Sequence, residues 1–600
     1  MRSPDWSLDS DFFPPPPGPE GLDRPWLKAY GPSTSAEIGP RAFQHLGDMI
    51  RSTSLAYGPR KAFSLVLPNG AEGWLTFDDV NAYSDQLALY FRKVIGLKPG
   101  DRVALMMPNC LAFPVAAFAV FKAGLILVNT NPLYTVNEMV HQYQDAEPAA
   151  LVMIDLFGEK IAPVVQATGI RHVVLCRLTD FLPPLRAMVI QTVLKYVRKS
   201  VPRIGDTGGV EVVPLRDALH AGASLCEGEA EDGVHHPDLA EYVRDLGPGA
   251  TALLQYTGGT TGVSKGAELT HGNLISNFME TIELCGRSMV PGKETMLTAL
   301  PLYHIFAFTV NLLTFYRVGA HNILIPSPRP IANLKSALEN KPITWMTGVN
   351  TLFSALVEAP WFREAPPPHL KWSIAGGAAL HSSVAERFER ITRSRIAEGY
   401  GMTEASPVVA VNPLGGRILR DSIGVPLPST YIRIVDDEGR PLAKGESGEL
   451  WVYGPQVMKG YWRRPDETAL VLKDGWLRTG DMAMFLDDGY LRIVDRKKEV
   501  IVVSGFKVFP NEVEECLCRH PLVLEAAVIG VGDAHSGEVP RAYVVPRGKE
   551  LTPGMLKAHC ENELARYKVP KEFIFRKELP KTPVGKILRR VLREEQSREG

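Results

Sequence analysis

Six hundred residues exceed what one ordinary hydrophobic core organises, so the chain is long enough for several domains. Hydrophobic residues make up 45% and charged residues 22%, a globular composition, and a formal net charge of −1 gives no basis for a nucleic-acid partner. Seven cysteines, Cys516 and Cys518 included, follow neither a disulfide framework nor zinc-site spacing, which fits reduced thiols in a cytoplasmic setting.

The opening stretch, MRSPDWSLDSDFFPPPPGPEG, lacks the apolar segment of a secretory signal, and its proline run predicts a loose polyproline arm over residues 1–40. From about residue 75 helical and strand-like patterns alternate. DDVNAYSDQLALYFRKVI carries apolar residues at helical spacing, and RVALMMPN reads as a short buried strand. AFPVAAFAVFKAG is a helix stopped by Gly124, LILVNTNP a strand, and PAALVMID and RHVVLC continue the series. HNILIPS, ITWMTGV and WSIAGGAAL add further units. Strands alternating with helices of this length predict an α/β body of layered sheets with helices on their faces, here over residues 41–495.

The texture changes near residue 421. YIRIVDDEGRPLAKGESGELWVYG alternates in strand fashion between tight-turn signals, which predicts a small β-rich subdomain over residues 421–495. GYLRIVDRKKEVIVVSGFKVFPNEVEE then reads as strand, charged turn, strand, and a helix entered at Pro510. LEAAVIGVGD and RAYVVPRG follow as two strands of a small mobile α+β domain over residues 496–600. No stretch approaches the roughly 18–20 apolar residues of a transmembrane helix.

Residues 185–204, LRAMVIQTVLKYVRKSVPRI, contain no acidic residue. As a helix they set Met188, Val189, Leu194, Tyr196 and Val197 among Arg186, Lys195, Arg198, Lys199 and Arg203. That combination suits a helix lying on a membrane surface; an ordinary amphipathic helix packed on the body is the competing expectation.

The stretch YTGGTTGVSKG, residues 256–266, cannot pack a core, and its bare backbone N–H groups, hydroxyls and lysine are suited to an anion. It is not the P-loop of G-x-x-x-x-G-K-[ST], because Ser264 precedes Lys265 and Gly266 follows it. Nor is it the G-x-G-x-x-G of a dinucleotide fold. It follows the strand-like TALLQY and precedes a helix beginning around His271.

Five stretches in order, YTGGTTGVSKG, EGYGMTEASP, GWLRTGDM, RIVDRKKEVIVVSGFKVFPNEVE and PKTPVGKILRR, resemble the adenylate-forming superfamily. Within it the chain is most similar to bacterial long-chain fatty-acid–CoA ligases, from about residue 40 to 595, including ALPLYHIFAFTVNLL and MTGVNTLFSAL. The resemblance implies ATP-dependent conversion of a fatty acid to an acyl-adenylate with release of pyrophosphate. Coenzyme A then displaces AMP. Two anions must meet in the first step, which calls for metal and cationic groups where charge develops. The second needs a thiol to reach a carbonyl shielded from water.

By the same resemblance, Thr257, Gly258, Gly259, Thr260, Thr261, Gly262 and Lys265 hold the β- and γ-phosphates. Gly258 stands where the superfamily usually carries serine, and Ser264 where it usually carries proline. Glu404, helped by Thr261, is expected to bind Mg²⁺, a hard cation suited to oxygen ligands. Tyr400 with Gly401, Met402 and Thr403 faces the nucleotide, over a floor of Gly376, Gly377 and Ala378. Asp481 is assigned to the ribose hydroxyls and Arg496 to ribose or phosphate, while Lys586 joins His304 among the catalytic residues as the adenylation lysine. Lys498 is the hinge between domains and Gly505 borders the coenzyme A channel. Phe306, Phe308, Val349, Asn350 and Leu352 are candidates for the acyl channel, with Phe308 as an aromatic gate.

A second enzyme reading is a fatty-acyl-AMP ligase that passes its product to a carrier-protein thiol. Such relatives carry an insertion near the small-domain junction, where IVDRKKEVIVVSGFKVFP runs straight through. A third reading, a non-catalytic fatty-acid or nucleotide binder, sits poorly with intact Thr261, Glu404, Asp481 and Lys586.

Overall fold

The apolar runs around residues 102, 126, 150 and 172 become neighbouring parallel strands, Arg102–Met106, Ile126–Asn129, Ala150–Ile154 and His172–Cys176. Continuous apolar sequence of this kind is what a strand covered on both faces requires. The structure, a computed structural model, describes residues 18–19, 21–32, 34–40, 43–225, 239–257, 264–533, 535–582 and 585–599. These four strands belong to an eight-stranded sheet, extended on one side by Val212–Pro214 and on the other by Thr251–Thr257, Lys265–Thr270 and Gly460–Tyr461. Lys265–Thr270 runs antiparallel to Thr251–Thr257, so the glycine-rich stretch joins two paired strands.

A nine-stranded sheet forms the second layer. Its central strands are Arg395–Gly401, Trp372–Ala375, Trp345–Gly348, Thr295–Thr298 and His321–Leu324, parallel throughout. The helix Ala112–Lys122 ties the layers together, and all of its residues are buried. It packs on the strands Arg102–Met106 and Ile126–Asn129 of the first sheet, while Phe118 meets Phe63 of the second. Each such phenylalanine contributes about 1.5–3 kcal/mol by leaving water.

The predicted β-rich unit is a five-stranded antiparallel sheet of Tyr431–Val435, Gly448–Tyr453, Leu472–Lys473, Trp476–Phe485 and Leu491–Arg496. A last sheet begins at Ile501–Val503 and includes the long pair Val523–Asp533 and Gly537–Pro546, with the helices Pro510–Arg519 and Pro553–Glu563.

The arm expected over residues 1–40 needs correction. Its proline run lies outside the described residues, but the turn Pro25–Ala29 is docked. Trp26 is fully buried with its ring stacked on Phe485 at 5.9 Å, and the Tyr30 hydroxyl donates to the Pro426 carbonyl at 2.7 Å. An indole with a pocket to fill outweighs the looseness that the neighbouring prolines suggest.

The segment around residue 190 is helical, Pro184–Thr192 running on as a π-helical turn Val193–Val197, and its amphipathicity is inverted. Ala187 is buried and Leu194 half-buried on the inner side. Gln191 anchors the helix by donating to the buried Asp155 carboxylate at 2.7 Å. Leu185, Met188, Val189, Val193, Tyr196 and Val197 are exposed. Among the described residues no helix is long and apolar enough to cross a membrane.

Candidate active site

A cavity of about 560 Å³ opens where the two large sheets meet the C-terminal domain. One wall is the segment after the strand Arg395–Gly401. A side chain at Gly401 would put its Cβ 2.2 Å from the Pro407 carbonyl oxygen, so only glycine lets the chain double back here. The 3₁₀ turn Thr403–Ala405 that follows presents Glu404 to the cavity. The Tyr461 hydroxyl donates to Glu404 Oε1 at 2.7 Å, and the Met458 N–H donates to the Glu404 carbonyl at 2.8 Å. Tyr461 lies on the two-residue strand Gly460–Tyr461, paired beside Lys265–Thr270, and the Lys265 ammonium stands 5.2 Å from its ring centre. Lys265 also pairs with the Glu467 carboxylate.

Lys586 enters from the C-terminal domain. Its backbone N–H donates to Thr582 Oγ1 at 3.0 Å and its carbonyl accepts from the Thr582 N–H at 2.8 Å. The segment is fastened behind by Lys581 on Glu525 at 2.6 Å and by Arg589 on Glu514 at 2.7 Å. Burial, with Arg496 close by, pushes the Lys586 ammonium down to about 8, against an opposing pull from Asp481. Arg496 and Lys498 line the same cavity, and Lys498 is lowered for the same reason, burial first and Arg496 next. His304 faces this group, and burial followed by the Lys586 charge lowers it to about 4. Its Nδ1 accepts from the Phe306 N–H at 3.3 Å, which leaves the neutral ring its proton on Nε2.

Thr257, Lys265, His304, Val349, Gly376, Gly377, Tyr400, Gly401, Met402, Thr403, Glu404, Arg496, Lys498 and Lys586 therefore share one cavity, although they span 330 positions of sequence. Gly258, Gly259, Thr260, Thr261 and Gly262 lie outside the described residues. Ala378 is not on the wall. Asp481 stands behind it: one oxygen accepts from the Tyr400 hydroxyl at 2.5 Å and the other pairs with Arg496 Nε at 2.9 Å. Burial and this carboxylate push the Tyr400 phenol well above its ordinary range. Gly505 occupies an open turn away from the cavity.

The acyl-channel candidates are corrected in part. Phe308 is fully buried in the core, edge-on to Phe113 at 6.4 Å and Phe121 at 6.2 Å, and does not line the cavity in this arrangement; Phe306 takes the wall position. Residues 307–314 form a π-helix, all of it buried, that carries Phe308 into the core. Asn350 is off the wall, its side-chain oxygen accepting from the His381 N–H at 3.0 Å, and Leu352 is off it as well. The apolar stretch of the cavity is built instead by Phe306, Val310, Ile374, Val411 and, from the helix His271–Cys285, Thr281 and Cys285. Tyr461, Thr281 and Cys285 carried no signal in the sequence, because each reaches the site through a pairing or a helix face that no motif marks.

The AMP-binding enzyme model matches residues 55–462, and that of the AMP-binding enzyme C-terminal domain matches residues 512–586. This chain belongs to the AMP-binding enzyme family. As an AMP-binding enzyme it is 45% identical to the long-chain-fatty-acid–CoA ligase of Yersinia pestis, over 96% of this chain and 99% of that one. It is 44% identical to the ligase of the same name from Escherichia coli O6:H1, over 96% and 98%. Its fold matches the crystal structure of the anthranilate CoA ligase AuaEII in complex with anthranoyl-AMP, with a TM-score of 0.78 and 22% identity over 93% of this chain and 98% of that one.

Proposed function

We infer that this AMP-binding enzyme activates long-chain fatty acids: ATP and the fatty acid give acyl-adenylate and pyrophosphate, and coenzyme A displaces AMP to give acyl-CoA. The observation that carries this reading is a single cavity with Lys586, Arg496, Lys498 and Glu404 along a polar part and Phe306, Val310, Ile374, Cys285 and Val411 along an apolar one. An amphipathic acid fits that division, its carboxylate among the cations and its chain among the apolar side chains.

In the first half-reaction a carboxylate approaches an α-phosphate, and the Lys586 ammonium offsets the charge that accumulates between them. Arg496 adds to the field. His304, neutral with its proton on Nε2, donates a hydrogen bond without adding charge. Tyr400, Gly376 and Gly377 bound the adenine side, and Asp481 reaches the ribose hydroxyls by exchanging the Tyr400 hydroxyl for them. Thr257, Lys265 and the hydroxyls and N–H groups of residues 258–262 hold the departing pyrophosphate. Mg²⁺ suits the donor set, since Tyr461 occupies one oxygen of Glu404 and leaves the other for a hard cation together with Thr261. When bound it supplies positive charge against the phosphates. In the second half-reaction the C-terminal domain turns about Lys498, withdrawing Lys586 and bringing Gly505 to the entering thiol.

Pyrophosphate release over fatty acids of graded length, with and without coenzyme A, tests the whole reading. The expected result is release that rises with chain length, limited to about one turnover until coenzyme A is added. Turnover restored by an acyl-carrier protein and not by coenzyme A would instead establish the fatty-acyl-AMP ligase.

The same reading puts the enzyme in the cytoplasm at a membrane surface, through residues 185–204. Six exposed apolar side chains on one outward face, flanked by Arg186, Lys195, Arg198 and Lys199, support contact with an anionic bilayer. Changing Leu185, Met188, Val189 and Val197 together to glutamine is expected to weaken co-sedimentation with anionic vesicles about tenfold or more, while the activity on dispersed substrate holds. Unchanged co-sedimentation would remove the contact from this face.

A further inference from the structure

The helix Asn350–Glu358 of the body carries the C-terminal domain at both of its ends. At the N-terminal end it receives the segment that bears Lys586. A Cβ on Gly585 would stand 2.5 Å from Thr351 Oγ1 and 3.2 Å from Val349 Cγ2, and Gly585 has a φ of +90°, where other residues are strained. At the C-terminal end Glu358 Oε1 accepts from two arginines. Arg387 Nη1, on the helix Ser382–Thr392 of the same body, donates at 2.7 Å, and Arg547 Nη1 donates to the same oxygen from the C-terminal domain.

Arg547 follows the strand Gly537–Pro546 and is itself fixed. Its Nε donates to the Val523 carbonyl at 3.1 Å and its backbone N–H to the Leu522 carbonyl at 2.9 Å. Nine helical residues span about 14 Å. One contact alone would leave the domain free to swivel about it; two contacts a helix length apart fix its direction, and with it the aim of Lys586.

We propose that Glu358 and Arg547 are positioning residues for the adenylation half-reaction, an ion pair made in the arrangement that puts Lys586 into the cavity and broken when the domain turns for the thiol. The inference rests on the two-arrangement reading above. Glu358 is committed to the body through Arg387 and waits there with its charge already compensated, so parting from Arg547 leaves no bare carboxylate. All three side chains are about one-third exposed, which keeps the pair weak enough to open in every cycle. A tighter, buried pair would hold the enzyme in one half-reaction.

The test separates the half-reactions. Arg547→Gln and Glu358→Gln should each lower kcat for pyrophosphate release about threefold to tenfold with the KM for ATP within twofold of the parent. Conversion of supplied acyl-adenylate and coenzyme A to thioester should stay level or quicken. Arg547→Lys should recover most of the loss, and Arg387→Gln should leave the ratio of the half-reactions near the parental value. Equal losses in both half-reactions, no loss in either, or an Arg387→Gln effect as large as that of Arg547→Gln would each overturn the proposal. The parent chain is assayed alongside, and its own failure to release pyrophosphate with any fatty acid would count against the functional reading rather than against the pair.

Discussion

Lys586→Ala is expected to lower acyl-adenylate formation by about 10²–10³-fold, the usual cost of deleting one preorganised group aimed at developing charge. The same variant should keep most of its thioester formation from supplied acyl-adenylate, because in the proposed second half-reaction Lys586 is withdrawn. Pyrophosphate release measures the first effect, and thioester yield from synthetic acyl-adenylate the second. Adenylation near the parental rate would refute the role.

The pH dependence follows from the same side chain. Lys586 is held down to about 8 by burial and by Arg496, so its charged form prevails below that value and is lost as pH rises through it. Adenylation in kcat/KM for ATP should therefore fall above pH 8. The polyanionic nucleotide favours the ammonium, so the corresponding limb in kcat lies at higher pH. His304, lowered to about 4, stays neutral throughout and adds no limb of its own in this range. Lys586→Arg, charged at every pH used, should remove the alkaline limb whatever its residual rate.

Much of the body was legible because its buried elements are continuous apolar runs ended by glycine or proline, as in the strand RVALMMPN and the helix AFPVAAFAVFKAG, and local pattern suffices for elements of that kind. The polar residues of the site were legible through ordered motifs. What escaped depends on pairing across long separations. Tyr461 reaches Glu404 because a two-residue strand joins the sheet beside Lys265–Thr270, and two residues carry no periodicity to read. Phe308 was assigned by its place after His304 in the motif, and a motif position does not show that its ring packs in the core against Phe113 and Phe121. Asp481 was assigned by its motif to the ribose hydroxyls, and the motif gave no sign that its carboxylate is held meanwhile by Tyr400 and Arg496 behind the cavity wall. A motif identifies a carboxylate; only packing decides which partner that carboxylate meets first. The helix at 184–197 is the converse case: its composition is compatible with two readings, and its apolar side chains face outward where the body leaves them uncovered.

Glu404→Gln carries the second large expected effect. Glutamine keeps the size of the side chain and its capacity to accept from the Tyr461 hydroxyl, so the fold around residues 401–407 should be unchanged in thermal unfolding. What is lost is the negative charge that suits a hard cation beside the phosphates. Adenylation should fall about a hundredfold or more at limiting Mg²⁺, and raising Mg²⁺ should recover only part of it. Tyr461→Phe isolates the hydrogen bond from the charge. It frees the second oxygen of Glu404 to swing, and about a tenfold rise in the Mg²⁺ concentration for half-maximal rate is expected, in line with the loss of a partner that orients a metal ligand. The two variants should differ in kind: Tyr461→Phe saturates at high Mg²⁺ near the parental rate, whereas Glu404→Gln does not. A parental Mg²⁺ dependence in Glu404→Gln would move the cation to other ligands and leave Glu404 as a wall residue. Fatty acid and ATP binding, read separately by titration, should change little in either variant, since neither substitution touches the apolar stretch at Val310, Ile374 and Cys285 or the lysine that arrives from the other domain.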